Sequence, residues 1–145
     1  MIEVQGDIWD YHRLENFIII IPVNLSLDTA GNAIMGKGLA LELKQRVPRA
    51  PMDLGKKIRI NNEDGMYCID DDWVRAMPTK YKPQDKEASL DLIEKGLWWL
   101  KSESGAWPEK NFILPRIGTG CGKLDWDVVQ AFTGDLPENV WLVTQ

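Results

Sequence analysis

Phe17-Ile18-Ile19-Ile20-Ile21 constrains this chain more than any other segment. Four consecutive β-branched residues after an aromatic favour an extended backbone. With no polar residue on either side of the pleat, both faces of that strand have to be covered. Strands of this kind belong to parallel or mixed sheets with helices layered on each side.

The rest of the chain supplies the layers. Ile2–Gln5 alternates apolar and polar residues as a short strand and runs into a Gly6-Asp7 turn. Met66–Ile69, Trp73–Met77 (ending at Pro78), Phe112–Ile117 and Asn139–Val143 read as further strands. Lys56–Ile60 also alternates and is read as a strand, joined to Met66 by an Asn61-Asn62-Glu63-Asp64-Gly65 turn. Between them lie three helical segments. Met35, Leu39, Leu43 and Val47 recur every fourth residue until Pro48. Leu90, Ile93, Leu97 and Leu100 form a second apolar stripe, with Asp85 as its expected cap. Leu124–Phe132 is a shorter helix with Gly134 just beyond its end and Asp125 able to cap its start. Strands alternating with helices predict an α/β layered sheet in one domain over residues 1–145.

Composition narrows the function classes. A net charge of −5 argues against broad attachment to a nucleic-acid backbone, which needs a clustered excess of Lys and Arg. The longest apolar run, Phe17 to Val23, is about a third of the ~20 residues that a membrane helix requires, so no membrane partner is expected. Cys68 and Cys121 are isolated and His12 is the sole histidine, which leaves no zinc site of the usual type and no metal or cofactor to expect. The same cysteine usage, with no basic leader at the N-terminus, predicts a cytoplasmic protein.

Two strand-to-helix junctions carry the chemical information. The first passes from Asn24 through Gly31-Asn32-Ala33-Ile34-Met35-Gly36-Lys37-Gly38 into the Leu39 helix. The second is Gly118-Thr119-Gly120-Cys121-Gly122, ahead of the Leu124 helix. Glycine lets a ligand approach the backbone, and a helix start behind such a loop offers N–H groups and a favourable dipole to an anion. Two such loops at the carboxyl ends of strands suit a diphosphate. Gly31 to Lys37 also fits the start of a phosphate-binding P-loop. Gly38 stands where that motif needs Ser or Thr for Mg²⁺, and the strand ends about seven residues too early, so the P-loop reading fails.

At these residues the chain resembles the macrodomain family. The matching segments are Gly6-Asp7-Ile8, Val23-Asn24, Met35-Gly36-Lys37-Gly38-Leu39-Ala40, Pro78-Thr79-Lys80 and Leu114-Pro115-Arg116-Ile117-Gly118-Thr119-Gly120 followed by Leu124-Asp125-Trp126. The layout is most similar to compact phage and bacterial members related to the DNA-ADP-ribosyl glycohydrolase antitoxin and terminal ADP-ribose glycohydrolase branches. The resemblance implies a three-layer α/β/α fold with a mixed, mostly parallel sheet. It also implies ADP-ribose, free or on a modified substrate, as the ligand, with nucleic acid a partner only as such a substrate. A monomer is expected.

Carried over, Asp7 and the Ile8 backbone would meet adenine, and Asn24 would orient the distal ribose. The backbones of Met35, Gly36, Lys37, Gly38 and Leu39 and of Ile117, Gly118, Thr119, Gly120, Cys121 and Gly122 would hold the phosphates. A bulky residue at Gly36 or Gly118 would then intrude on them. Asp7 could instead close an Asx-turn, and Asn24 could satisfy its own loop. The resemblance makes Lys80 the candidate catalytic group, acting as an amine on C1″ or by polarising the leaving group. The branch often places an acid in the second loop; here there is none until Asp125. Asp28 is a further candidate carboxylate. The resemblance thus implies an ADP-ribosyl hydrolase, with a non-catalytic ADP-ribose reader as the alternative. Cys121 lacks a histidine partner and reads as a small packing residue.

Overall fold

A computed structural model describes residues 1–61 and 65–145. Its six strands are β1 (Ile2–Gln5), β2 (Phe17–Asn24), β3 (Tyr67–Ile69), β4 (Val74–Lys80), β5 (Asn111–Leu114) and β6 (Val140–Thr144). They form one sheet in the order β1-β6-β5-β2-β4-β3, parallel throughout except for β3 at one edge, which runs antiparallel to β4. The helices are α1 (Gly38–Arg46), α2 (Ala50–Ile60), α3 (Leu90–Ala106) and α4 (Trp126–Gln130), with a 3-10 turn over Ile8–Tyr11.

The isoleucine run does what its composition requires. Ile19 and Ile21 face a core shared with α1 and α2, through Leu43, Leu54 and Ile58. Ile18 and Ile20 face the opposite core, built with Ile93, Leu97 and Leu100 of α3 and Val129 of α4. Ile19, Ile20 and Ile21 are wholly buried, so the strand is covered on both faces and the fold is a three-layer α/β/α sandwich.

Three sequence expectations are corrected. Lys56–Ile60 is the end of α2 and not a strand, because Ala50, Leu54 and Ile58 recur every four residues as one buried stripe while Ile60 points to solvent. The turn expected at Asn61–Gly65 falls largely on residues 62–64, outside the described residues. Strand β4 continues through Pro78 to Lys80, since β3 stops pairing at Ala76 and the missing proline N–H breaks no ladder there. Helix α3 is capped by Ser89, whose hydroxyl accepts from Leu92 N, and not by Asp85, which accepts from Lys82 N in the preceding loop.

The far end of the sheet from the strand carboxyl ends is tied by a buried carboxylate. Asp70, Asp71 and Asp72 all take left-handed conformations (φ 53°, 52° and 69°), which aspartate tolerates better than most residues. The turn buries the Asp70 side chain completely, where it meets His12 Nε2 at 2.6 Å and Arg13 Nη2 at 2.5 Å. Burial pushes the Asp70 carboxyl up, but the hydrogen bonds and charge of Arg13 and His12 together hold it below its ordinary value. A depressed folded-state value stabilises the protein above the unfolded carboxylate value, and that contribution disappears as pH falls through the folded one. Asp70→Asn should lower the unfolding free energy by about 1.5–3 kcal/mol at neutral pH. In urea titrations the deficit should shrink as the pH is taken into the acid range; a deficit independent of pH would contradict the assignment.

Candidate functional site

Because five neighbouring strands run parallel, their carboxyl ends share one edge, and a cavity of about 760 Å³ lies along it. Its floor is contributed in order by Gly6 and Ile8 after β1, Val143–Gln145 at the end of β6, Pro115 and Arg116 after β5, Pro22–Asn24 of β2, and Thr79 and Lys80 of β4. At ~4.8 Å per strand, four steps make a trough of roughly 19 Å. That is an elongated site, shaped for an extended ligand more than for a single phosphate.

One long wall is the first glycine loop. The Asn24 side chain ties this loop to β2, since Nδ2 donates to Ile34 O at 2.9 Å and Oδ1 accepts from Ser26 N at 2.9 Å. Its loop-satisfying role is therefore real, and the side chain still lines the cavity. Gly36, Lys37, Gly38, Leu39 and Ala40 form the wall itself. Gly38 adopts φ +56°, which aims the start of α1 into the trough. Lys37 precedes the helix without any side-chain cap. The N–H groups of Gly38, Leu39 and Ala40 consequently have no intrahelical acceptor and border the cavity with the positive end of the helix dipole.

Several expected members lie elsewhere. Met35 and Ile117 are buried core residues that do not line the cavity. Asp28 does not reach it either; its carboxylate is exposed and accepts from Ala30 N and Asn32 N, closing its own loop. Gly31 packs against Arg59 and against the helix at Gly55, away from the trough.

The opposite wall is the second loop, Gly118–Gly122, which folds back on itself through Leu124 N to Gly118 O (2.8 Å) and Lys123 N to Gly120 O (3.1 Å). Helix α4 begins only at Trp126, so the backbone groups facing the trough here are those of the loop and not of a helix start. Asp125 caps that helix by accepting from Asp127 N at 3.2 Å. Cys121 is exposed at the cavity and is not a packing residue as its small size suggested. The two walls nearly meet: a Cβ on Gly38 would lie 3.5 Å from Cys121 Sγ.

The trough has two chemically different ends. At the β4 end a register shift pairs Asn24 with Lys80, skipping Thr79. Lys80 Nζ donates to Cys121 O at 3.0 Å, binding the strand end to the second loop. At the β1 end Ile8 is buried against the cavity, and Asp7 is exposed with Oδ1 accepting from Trp9 N at 3.0 Å, the Asx-turn geometry. Asp7 itself is not among the lining residues. Sequence reasoning missed Arg116, stacked over Trp126, and Glu42, one helical turn after Gly38 on the same side of α1. The position of Glu42 was readable from helical spacing; that of Arg116 depended on tertiary packing. Among the described residues, Glu42 is the one acid that lines the cavity, and no cluster of three metal-binding side chains occurs. No helix is long and apolar enough to cross a membrane, again among the described residues.

No family model matches the chain. Solved structures do. A macrodomain of Mycobacterium tuberculosis DarG superposes with a TM-score of 0.73 over 99% of this chain and 98% of that one, at 23% identity. The macrodomain of Thermus aquaticus DarG gives 0.74 over 99% and 97%, at 22% identity. The fold is that of a macrodomain. Thermosipho africanus DarTG in complex with ADP-ribose gives 0.72 at 21% identity, covering 98% of this chain and 41% of that one. A Thermosipho africanus DNA ADP-ribosyl transferase–DNA ADP-ribosyl glycohydrolase fusion protein is 24% identical over 87% of this chain, which spans 36% of that relative's length.

Within this fold the glycines divide into two kinds. A Cβ on Gly118, already at φ +79°, would meet Ile93 Cδ1 at 2.8 Å, and one on Gly122 would meet Gly118 O at 2.6 Å. These two glycines are required by packing, so a side chain at Gly118 would collide with the core and not enter the trough. Gly36 and Gly120 line the cavity with nothing within 4 Å of a Cβ. Gly118→Val should cost about 2–4 kcal/mol from overpacking and backbone strain. Gly36→Val should change stability by less than about 0.5 kcal/mol. Equal melting temperatures for the two variants would contradict the division.

Proposed function

We propose that this macrodomain binds ADP-ribose along the trough and hydrolyses an ADP-ribosyl bond on a modified macromolecule or small derivative. The observation that carries the reading is the pair of loops facing each other across an elongated cavity, with free N–H groups at its middle and different chemistry at its ends. A diphosphate between Gly36–Ala40 and Gly118–Gly122 would take up the unpaired N–H groups of α1 and the loop. Adenine would then lie toward Ile8 and Asp7, and the distal ribose toward Asn24 and Lys80. ADP-ribose in the Thermosipho africanus complex and the DNA ADP-ribosyl glycohydrolase in the name of the fusion protein both agree with this ligand class.

The surroundings of Lys80 favour one of the two roles open to it. Nζ donates to Cys121 O at 3.0 Å, which holds the side chain against the second loop. No acidic side chain borders that end of the cavity among the described residues, so attack on C1″ would lack a carboxylate to take up the proton released from the amine. Lys80 as a cation polarises the leaving group instead. In that step the C1″ bond breaks with its electron pair going to the departing nitrogen or oxygen. Water supplies the hydroxyl to C1″, and a proton ends on the leaving group. The same absence of a carboxylate supports the second reading, a module that binds ADP-ribose without turnover.

Release of ADP-ribose from ADP-ribosylated DNA and protein separates the two. Hydrolysis predicts release by the wild type and at least about a hundredfold loss in Lys80→Ala, with ADP-ribose affinity changed by less than about tenfold. Binding without release from any such substrate would establish the reader. Gly36→Val, expected to fold normally, should weaken ADP-ribose binding by more than about tenfold by occupying the phosphate space; unchanged affinity would remove the first loop from the site.

A further inference from the structure

The Glu42 carboxylate borders the same cavity away from Lys80. It projects from the second turn of α1 into the cavity, one turn (about 6 Å along the helix) beyond the N–H groups at Gly38. One of its oxygens accepts from Trp9 Nε1 at 3.2 Å. Trp9 follows Ile8 in the 3-10 turn, so this contact fixes the carboxylate beside the β1 end of the trough. The other oxygen takes no hydrogen bond from the described residues. Arg46 stacks over the same indole at 4.5 Å but does not line the cavity, so no cation stands between Glu42 and the ligand space.

The order along this wall is therefore anion-binding N–H groups, then a fixed acceptor-only side chain, then the apolar pocket at Ile8. A nucleoside diphosphate threaded the same way presents phosphate, then a ribose diol, then a base. A carboxylate accepts from one or two vicinal hydroxyls and repels a phosphate ester in their place, the same logic by which an acid on the ribose selects between dinucleotide cofactors. From this order we infer that Glu42 is a specificity-determining residue, accepting from the adenosine-side ribose hydroxyls and excluding ligands phosphorylated there. The inference rests on the ADP-ribose reading and deepens it: the site takes ADP-ribose from unphosphorylated dinucleotide and rejects the 2′-phosphorylated form.

Calorimetric titration with ADP-ribose and with ADP-ribose 2′-phosphate tests this, using wild type and Glu42→Gln. The amide keeps an acceptor for Trp9 Nε1, and an unchanged melting temperature and tryptophan emission would confirm that the turn is intact. The wild type should bind ADP-ribose at least about tenfold more tightly than its 2′-phosphate, the minimum expected of two like charges this close. Glu42→Gln should reduce that ratio to about threefold or less, chiefly by admitting the phosphorylated ligand. Equal wild-type affinities, or a ratio that survives in Glu42→Gln, would overturn the inference while leaving ADP-ribose binding intact. Failure of the wild type to bind either ligand would overturn the proposed function and this inference with it.

Discussion

The start of α1 has N–H groups with no helical acceptor, and the sheet fixes where they point. Gly38 turns the chain at φ +56° so that these donors open onto the edge where five parallel strands end. Unpaired backbone donors at a helix start have to be satisfied by water, a side chain or a ligand. Lys37 offers no cap, so water or a ligand must fill the role. Everything else about the trough adjusts to that fixed donor set. The second loop closes the far wall, the strand ends form the floor, and Lys80 and Asn24 hold the β4 end together.

The two loops are not equivalent, although both are rich in glycine. In the second, Gly118 and Gly122 are glycines because Ile93, Ala88 and the loop's own backbone leave no room for a Cβ. Their tight packing keeps Gly120 and Cys121 in position against the first loop. In the first, Gly36 faces open space, and there the absence of a side chain leaves the trough open. Charge follows the same polarity along the trough. Lys80 marks the β4 end and Glu42 lies toward the β1 end, with Lys37 and Arg116 between them at the walls. The two ends of the trough therefore carry opposite charge.

The layered fold was legible in sequence because its signals are one-dimensional. The isoleucine run demanded cover on both faces, and the apolar stripes of α1 and α3 supplied it. Lys56–Ile60 misled because five residues of alternation look the same at the end of a helix; only Ala50 and Leu54 upstream reveal the longer period. That the glycine loops and Lys80 come to the cavity was also readable, since turn chemistry and motif order are local. The roles of Met35, Ile117 and Asp28 were not, because a residue inside a motif can face the core or its own loop as easily as the ligand. Glu42 lies outside the motifs, although helical spacing from Gly38 gives its side of α1, and Arg116 lies inside one but owes its place at the cavity to packing against Trp126. His12 and Arg13 are a further case: 57 and more residues separate them from Asp70, and nothing local announces the pair.

The claim on which the rest depends is that one extended ADP-ribose occupies the whole trough. A crystal structure of the protein soaked with ADP-ribose tests it directly. The diphosphate should lie between Gly36–Ala40 and Gly118–Gly122, with adenine beside Ile8 and C1″ beside Lys80. ADP-ribose bound elsewhere, bound in the reverse direction, or absent at saturating concentration would contradict the account.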